Sequence, residues 1–269
     1  MMIRIVVVGA SGWVGKALVT AIAAAPDLTL AAAVSRTAAG RDAALVAGQS
    51  EPCGITIVAT LEEALATPSD VVIDYTKPHV VKGHAMAALA AGRHVVVGTS
   101  GLGAADYAEI AAAARKAERG VIAAGNFSIT ATLLKRFALM AARYVPDVEI
   151  IDYASAKKPD APSGTARELA ETLATVRQKA TSRPVSEVTG IPGTRGAAVG
   201  DGDGVQVHSL RLPGYVLSCE TIFALADERL TLRHDAGASA APYVGGTLLA
   251  ARKVVSTQGL VRGLDALID

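Results

Sequence analysis

The sequence is poor in aromatic residues and in cysteine. Phenylalanine, tryptophan and tyrosine together make up 4% of its 269 residues, which disfavours a surface that stacks on nucleic-acid bases. Cys53 and Cys219 are its two cysteines, so neither a disulfide framework nor a structural zinc site is indicated. We expect both to be buried free thiols in a reducing compartment.

The sequence also lacks an excess of charge and a long apolar run. Its 26 basic and 25 acidic side chains give a net charge of +1, which argues against nucleic acid or an anionic membrane as the main partner. No uninterrupted apolar run of about 18 residues occurs, although 51% of the residues are hydrophobic. The N-terminus shows no signal-peptide pattern. We therefore expect a cytoplasmic protein whose large core forms two domains.

A glycine-rich turn near the N-terminus is the first functional motif. The apolar run Ile3–Val8 is typical of a buried parallel strand, and a helical pattern extends to about residue 25. Between them lies Gly9-Ala10-Ser11-Gly12-Trp13-Val14-Gly15. This order predicts a dinucleotide site, with Gly9 and Gly12 admitting a pyrophosphate and Gly15 allowing the helix to pack closely. A tight turn without a ligand is the alternative.

The end of the second predicted strand, Leu28–Val34, bears on the choice of cofactor. It runs into Ser35-Arg36-Thr37. An acidic residue at this place would bind the ribose hydroxyl groups of NAD. No carboxylate occurs here, and Arg36 between two hydroxyl side chains suits the 2′-phosphate of NADPH better. The sequence therefore favours NADPH, with NADH possible and a solvated arginine as the alternative explanation.

Small and polar residues follow three further predicted strands. These residues are Thr76, Gly98, Thr99, Ser100, Ala124, Gly125, Asn126 and Phe127. The alternation of strands and helices predicts an α/β domain with a doubly wound parallel sheet, whose ligands bind at the carboxyl ends of the strands. We expect these strand ends to approach a ribose or the nicotinamide. His79, His84 and His94 lack metal-ligand spacing, so we expect structural or solvent-facing histidines and no metal site.

A second motif opens the other half of the chain. The stretch Lys157-Lys158-Pro159-Asp160-Ala161-Pro162-Ser163-Gly164-Thr165 follows a predicted strand at 148–153 and leads into a helix that runs to Val176. Ser163 or Thr165 can cap this helix, which leaves backbone N–H groups and the positive end of the helix dipole pointing outward. A helix N-terminus with lysines upstream is typical of a carboxylate or phosphate site. An ordinary capped helix after a basic loop is the alternative.

The remainder of the second half predicts an open, largely antiparallel sheet. Residues 178–204 are polar and rich in glycine and proline, which indicates a long surface loop or lid. Three strands and a long helix are predicted at Val205–Arg211, 215–224, 229–234 and 241–255. We assign residues 1–128 and 241–269 to a dinucleotide-binding domain, and residues 129–240 to a substrate-binding α+β domain with an open mixed sheet.

Together these stretches resemble the dihydrodipicolinate reductase family over nearly the whole chain. The similarity rests on residues 9–15, Ile73-Asp74-Tyr75-Thr76, Gly98-Thr99-Ser100-Gly101 and Gly125-Asn126-Phe127-Ser128. Its most specific part is Lys158-x-Asp160-Ala161-Pro162-Ser163-Gly164-Thr165-Ala166. The resemblance implies a Rossmann domain, a second domain that forms tetramers, and hydride transfer from NAD(P)H to a cyclic imine dicarboxylate. Lysine biosynthesis is the leading setting.

The resemblance also implies roles for individual residues. Lys158 is expected to be the catalytic proton donor. The expected substrate-binding residues are Lys157, Ser163, Gly164 and Thr165. The expected cofactor-binding residues are Gly9, Ala10, Ser11, Gly12, Trp13, Val14, Arg36, Thr76, Gly98, Thr99, Ser100, Ala124, Gly125, Asn126 and Phe127. The expected partners are a small dicarboxylate substrate and further copies of the same chain.

One departure from the family pattern concerns two adjacent histidines just upstream of the lysine. This sequence has Ala154-Ser155 at those positions. Alanine transfers no proton, and serine is a weak acid near neutral pH. Positioned acid–base groups contribute about 10²–10⁴-fold to a rate, so losing one without replacement would raise the barrier by roughly 3–5 kcal/mol.

Several groups could compensate for the missing histidine. Lys157 could strengthen Lys158 as an acid, because two close ammonium groups lower each other's pKa. Tyr153 could donate a proton if it faces the ligand, and His208 or His234 could approach in the fold. Lys158 alone suffices if only the imine nitrogen needs a proton. Three functions therefore stay open: the family reaction, reduction of a different imine or oxo acid, and a catalytically silent nucleotide-binding sensor.

Overall fold

The protein divides into two compact units in the computed structural model, which describes residues 2–177, 187, 190 and 196–268. Unit 1 comprises Met1–Ile129 and Ala240–Asp269. Unit 2 comprises Thr130–Ser239. Within the described ranges, no helix is both long and apolar enough to cross a membrane.

Strands and helices alternate through the first half of the chain, and strands dominate the second. The strands are β1 (Ile3–Val8), β2 (Leu28–Val34), β3 (Val71–Asp74), β4 (His94–Val97), β5 (Gly120–Ala123), β6 (Asp147–Ala154), β7 (Ala197–Val199), β8 (Val205–Arg211), β9 (Leu217–Leu225), β10 (Glu228–Ala236) and β11 (Gly259–Arg262). The α-helices are α1 (Trp13–Ala24), α2 (Ala43–Ala47), α3 (Leu61–Leu65), α4 (Pro78–Ala90), α5 (Ala104–Ala117), α6 (Ile129–Ala141), α7 (Gly164–Val176) and α8 (Ala241–Val254).

Unit 1 is built on a six-stranded parallel sheet in the order β11-β5-β4-β3-β1-β2. Its strands are largely apolar because helices cover both faces. On one face, α1 and α8 pack through Ile22 and Leu248. On the other face, α4 and α5 pack through Leu89 and Ile110. The predicted doubly wound sheet is confirmed.

The turn between β1 and α1 depends on two glycines. Gly9 has a φ of +89°, a left-handed conformation that favours glycine. A Cβ atom on Gly15 would lie 2.1 Å from the carbonyl oxygen of Gly9, so a larger residue would push α1 away from the strand. This confirms the predicted role of Gly15 in close packing. It sets the N-terminus of α1 at the carboxyl end of β1.

Unit 2 contains a five-stranded mixed sheet in the order β10-β9-β6-β8-β7. The pair β6 and β8 is parallel, and the other pairs are antiparallel. Both described helices of this unit, α6 and α7, pack on one face through a core that includes Leu134, Ile150, Leu169 and Phe223. The opposite face carries neither of them, which confirms the predicted open mixed sheet.

Three features differ from the sequence-based expectations. Strand β7 lies inside the segment predicted as a loop or lid at 178–204, and residues 178–186, 188–189 and 191–195 of that segment lie outside the described residues. Strand β11 was not predicted, because four residues carry too weak a pattern. Cys219 is buried as expected, but Cys53 is exposed. Cys53 sits in a loop held to the Asp42 carboxylate through its backbone N–H at 3.2 Å.

Candidate active site

A cavity of about 190 Å³ lies among the strand ends of unit 1. Its lining residues are Trp13, Val14, Tyr75, Gly98, Gly125, Asn126, Phe127 and Tyr243. All of these except Tyr75 and Tyr243 are predicted cofactor residues, so the fold brings together parts of three separate motifs. The ring of Tyr243, which comes from α8, meets the ring of Trp13 edge-on with 5.6 Å between their centroids. No sequence motif marks Tyr243.

The N-terminus of α1 presents backbone donors beside this cavity. Its N-cap residue is Gly12, which supplies no side-chain cap, and its first turn contains no acidic residue. The first N–H groups of a helix have no carbonyl partner within it, and they carry the positive end of the helix dipole. A helix start that has no side-chain cap and no acidic residue in its first turn fits the diphosphate of a dinucleotide.

A cluster of hydroxyl groups joins the glycine turn to the end of β2. The Oγ atoms of Ser11 and Ser35 lie 2.6 Å apart, and the Oγ1 atom of Thr37 lies 3.3 Å from that of Ser35. Arg36 stands exposed between these two neighbours. Together they form a polar rim with one cationic group, which suits a ribose and an attached phosphate.

The other predicted cofactor residues occupy the same end of the sheet. Gly9, Ala10, Ser11 and Gly12 follow β1, Thr76 follows β3, Thr99 and Ser100 follow β4, and Ala124 follows β5. Gly98 has a packing role that explains its identity, since a Cβ atom there would lie 2.2 Å from the ring of Tyr75. The Tyr75 hydroxyl lies 2.6 Å from Thr247 Oγ1, and burial raises the pKa of Tyr75, which keeps it neutral.

A buried carboxylate organises the ends of β3 and β4. Asp74 is 1% exposed, and its Oδ1 atom accepts hydrogen bonds from the Thr76 N–H at 2.9 Å, the Thr76 hydroxyl at 2.6 Å and the Thr99 hydroxyl at 2.9 Å. Thr99 Oγ1 in turn accepts from the Thr76 N–H at 2.8 Å. Thr76 and Thr99, both predicted cofactor residues, therefore share one acceptor, which lies in a sequence motif but was not predicted as a site residue.

His84 completes this arrangement from α4. Its Nδ1 atom lies 2.7 Å from Asp74 Oδ2. The hydrogen bond with Asp74 raises the pKa of His84, although burial acts in the opposite direction. His84 is thus a partly buried structural histidine, as expected, and it faces the one carboxylate that holds both threonines.

In unit 2, a second buried carboxylate positions the loop between β6 and α7. Asp152 is fully buried and accepts hydrogen bonds from the Ser163 N–H at 2.8 Å and the Ser163 hydroxyl at 2.7 Å. Arg211 Nη2 donates to Asp152 Oδ2 at 2.7 Å and also to the carbonyl oxygen of Asp160. Strands β6 and β8 therefore fix both ends of the loop that carries the lysine motif.

Ser163 is the residue that caps α7. Its hydroxyl accepts from the Ala166 N–H at 3.3 Å while donating to Asp152. Because the side chain is 2% exposed, Ser163 acts by orienting the helix start. Gly164 is exposed and Thr165 is half-buried. Of the first N–H groups of α7, that of Ala166 is bonded to the Ser163 cap and that of Gly164 faces the Asp160 carboxylate.

An internal carboxylate already occupies the cationic part of this loop. Lys158 Nζ lies 2.7 Å from Asp160 Oδ1, while Lys157 is exposed. The Lys158 ammonium group holds the pKa of the Asp160 carboxyl group below its usual range, and the Gly164 N–H acts in the same direction. A lysine and the start of a helix thus cooperate on one internal carboxylate, and binding of a substrate carboxylate here stays a prediction.

Two of the groups considered as replacements for the missing histidine lie on the face of the sheet opposite to Asp152. Tyr153 follows Asp152 along β6 and so faces the other side of the sheet, where its hydroxyl donates to Glu220 at 3.0 Å. His208 pairs in register with Ile151 on that same side, and its Nε2 atom lies 2.8 Å from Glu149. Neither lies on the face that carries Asp152.

His234 differs from these two groups. Strand pairing aligns it with Cys219, which is aligned with Asp152, so all three share one face of the sheet. Two strand spacings separate His234 from Asp152, a distance of about 10 Å. Burial lowers the pKa of His234. Ala154 is fully buried on this face, where its methyl group adds to the packing.

Comparison with known families matches both halves of the chain to one family. A family model described as dihydrodipicolinate reductase, N-terminus, matches residues 3–127. The corresponding C-terminus model matches residues 130–268. A 4-hydroxy-tetrahydrodipicolinate reductase of Trichormus variabilis is 40% identical over 275 residues, covering 99% of this chain and 98% of that one. The enzyme of that name from Desulfitobacterium hafniense is 40% identical over 269 residues and 99% of both chains.

A solved structure extends the similarity to three dimensions. The dipicolinate-bound dihydrodipicolinate reductase from Paenisporosarcina sp. TG-14 superimposes with a TM-score of 0.86. The two sequences are 31% identical, and the match covers 100% of each chain.

The pairing of His84 with Asp74 predicts a pH-dependent contribution to stability. Because the pKa of His84 is raised in the folded state, its contribution is complete below the ordinary histidine pKa of about 6.5 and is lost as pH rises through the folded-state value. We expect His84→Gln to lower the free energy of unfolding by roughly 1.5–3 kcal/mol at about pH 5.5, and by less at about pH 8.5. Urea denaturation at both pH values measures this.

The matched control is His79→Gln, which removes an exposed histidine from the same helix. A His84→Gln penalty that grows with rising pH would contradict the expected linkage.

Proposed function

Since the chain belongs to the dihydrodipicolinate reductase family, we propose that it reduces 4-hydroxy-tetrahydrodipicolinate to tetrahydrodipicolinate in the lysine biosynthesis of the cytoplasm. In this proposal, unit 1 binds NAD(P)H and unit 2 binds the dicarboxylate substrate. The observation that carries it is the loop from Lys158 to Thr165, whose ammonium group and helix start hold a carboxylate. The family match over both units supports the same reaction.

The cofactor site follows from the residues at the strand ends of unit 1. The N–H groups of Trp13 and Val14 at the start of α1 would hold the diphosphate. Thr76 and Thr99 would contact the nicotinamide half, and Gly125 would let the backbone approach it closely. When bound, NAD(P)H supplies the hydride. The protein residues bind and orient the two ligands and exclude water from the cavity.

The substrate site follows from the loop of unit 2. The named reaction replaces the 4-hydroxyl group of the substrate by the hydride and releases it as water, so it takes up one proton, which Lys158 would donate. Gly164 and Thr165 would neutralise a substrate carboxylate through the helix start. Lys157 would add a second positive charge. Ser163 would serve this site through its cap, which aims the N–H groups of α7. Its hydroxyl itself is used by Asp152.

A second candidate function is reduction of a different imine or oxo acid with the same machinery. The observation that favours it is the pair Ala154-Ser155, where the family pattern has two histidines. Ala154 is fully buried and cannot take part in proton transfer. A substrate that needs one proton at one nitrogen would be served by Lys158 without a histidine.

The central experiment measures NADPH oxidation with chemically generated 4-hydroxy-tetrahydrodipicolinate. We expect turnover by the wild type, and a drop in kcat of about 10²–10⁴-fold for Lys158→Ala, because a positioned acid contributes that much. Lys135→Ala is the matched control, since Lys135 Nζ also lies 2.7 Å from a carboxylate, that of Glu168, but outside the loop. Turnover of another imine far above that of this substrate would favour the second candidate.

We further propose that NADPH is the preferred nucleotide. Arg36 is exposed beside the hydroxyl groups of Ser35 and Thr37, where it can pair with a 2′-phosphate. We expect Arg36→Ala to raise the KM for NADPH about tenfold, equivalent to about 1.4 kcal/mol, and to leave the KM for NADH nearly unchanged. Arg41→Ala, at an exposed arginine of the same turn, is the control. Equal effects on both nucleotides would contradict the assignment.

We also propose that the protein is a homotetramer assembled through unit 2. The sheet of this unit has one face without its helices, and Ile151, Tyr153 and Ile222 on that face are largely removed from solvent without being fully enclosed. Such a face is typical of sheets that pair with another copy. Light scattering at micromolar concentration is expected to give four times the chain mass, and a monomer would contradict the proposal.

A further inference from the structure

The carboxylate of Asp74 determines what the two threonines beside it can offer a ligand. A hydroxyl group has one hydrogen to donate and two lone pairs to accept with. Thr76 and Thr99 each give that hydrogen to Asp74 Oδ1, at 2.6 Å and 2.9 Å. Both hydroxyl oxygens can therefore only accept further hydrogen bonds. Thr76 is half-buried and open to a ligand, while Thr99 is 7% exposed.

The groups around Asp74 keep the Thr76 and Thr99 hydroxyl groups as donors to Asp74 and as acceptors toward a ligand. Burying a carboxylate costs several kcal/mol unless donors satisfy it. No lysine or arginine forms an ion pair with Asp74 among the described residues, and its donors are the two threonines and His84. All three hydrogen bonds from the threonines end on Oδ1, while Oδ2 faces Nδ1 of His84. Alanine in place of Asp74 would remove this shared acceptor and free the Thr76 hydroxyl to donate elsewhere.

We propose that Asp74 is a positioning residue for the cofactor: it fixes the Thr76 hydroxyl as an obligate acceptor toward the ribose hydroxyls or carboxamide of the nicotinamide half. His84 keeps the carboxylate in place from α4. The inference rests on the proposed function for the identity of the ligand. It goes beyond that function in assigning the orientation of Thr76 to a residue that need not touch the cofactor.

The position of Thr76 supports this role. A Cβ atom added to Gly9 would lie 3.5 Å from the Cγ2 atom of Thr76, so the methyl group of Thr76 borders the glycine turn. Its hydroxyl is turned to Asp74 at the end of β3. The Thr76 methyl group thus borders the predicted diphosphate site, and its hydroxyl group is bonded to Asp74.

The opposite end of the same strand supplies a matched control. Asp70 precedes β3 and accepts from the Arg4 N–H at 2.8 Å and from Arg4 Nη2 at 2.7 Å. It resembles Asp74 in chemistry and in being well paired, but it lies at the amino ends of the parallel strands. Ligands of such sheets bind at the carboxyl ends. A purely structural role for Asp74 predicts that its replacement changes thermal unfolding without changing NADPH affinity, as we expect for Asp70.

The test measures NADPH binding directly and does not depend on turnover. Trp13 is the one tryptophan of the chain and lines the cavity, so quenching of its fluorescence reports the Kd of NADPH. We expect Asp74→Ala to raise this Kd at least tenfold, and Asp70→Ala to change it less than twofold. We expect Thr76→Val to match Asp74→Ala, and Thr76→Ser to restore binding to near wild type. The double variant Asp74→Ala/Thr76→Val should bind no more weakly than either single variant.

Three outcomes would overturn the inference. The first is a folded Asp74→Ala variant, judged by circular dichroism and thermal unfolding, that binds NADPH like the wild type. The second is wild-type binding by Thr76→Val, which decides the matter even if Asp74→Ala fails to fold. The third is an additive double variant, because independent effects sum. If the wild type binds NADPH but reduces no imine, the proposed function fails while these binding measurements still decide the role of Asp74.

Discussion

Burying an aspartate costs several kcal/mol unless hydrogen-bond donors surround it, and this constraint shapes both halves of the protein. Asp74 gathers Thr76, Thr99 and His84 at the carboxyl ends of β3 and β4. Asp152 gathers Ser163 and Arg211 at the start of α7. In each unit, the donors to the buried carboxylate include predicted site residues, Thr76 and Thr99 in unit 1 and Ser163 in unit 2. The need to pair each buried carboxylate with hydrogen-bond donors therefore also positions residues of the candidate site.

The loop of unit 2 shows how such a constraint prepares a surface for an anion. Asp152 and the Ser163 cap hold the first turn of α7, so its N–H groups point outward in a fixed direction. Lys158 and Asp160 then pair beside that turn. A lysine and a helix start therefore already hold one internal carboxylate, that of Asp160. Ala154 is fully buried and takes no part in this arrangement.

Much of the first half followed from local pattern. Largely apolar stretches of four to seven residues marked β1 to β5, since a parallel strand covered on both faces has no polar side. The glycine turn placed α1 correctly, because a strand, a turn and a helix in sequence leave few alternatives. Strands β7 and β11 escaped prediction, because three or four residues carry too little periodicity. Tyr243 also escaped prediction, because it reaches the cavity from a helix far along the chain.

By itself, the sequence determined the family, the order of elements, and the motifs that present a phosphate-binding helix start and a lysine beside a capped helix. These are properties of neighbours along the chain, and local chemistry is enough to define them. Only the tertiary structure decided which side chains share a carboxylate. Asp74 meets Thr99 across 25 residues, and Asp152 meets Arg211 across 59. The physical reason is that strand order and register, set by burial of the whole sheet, bring such residues together.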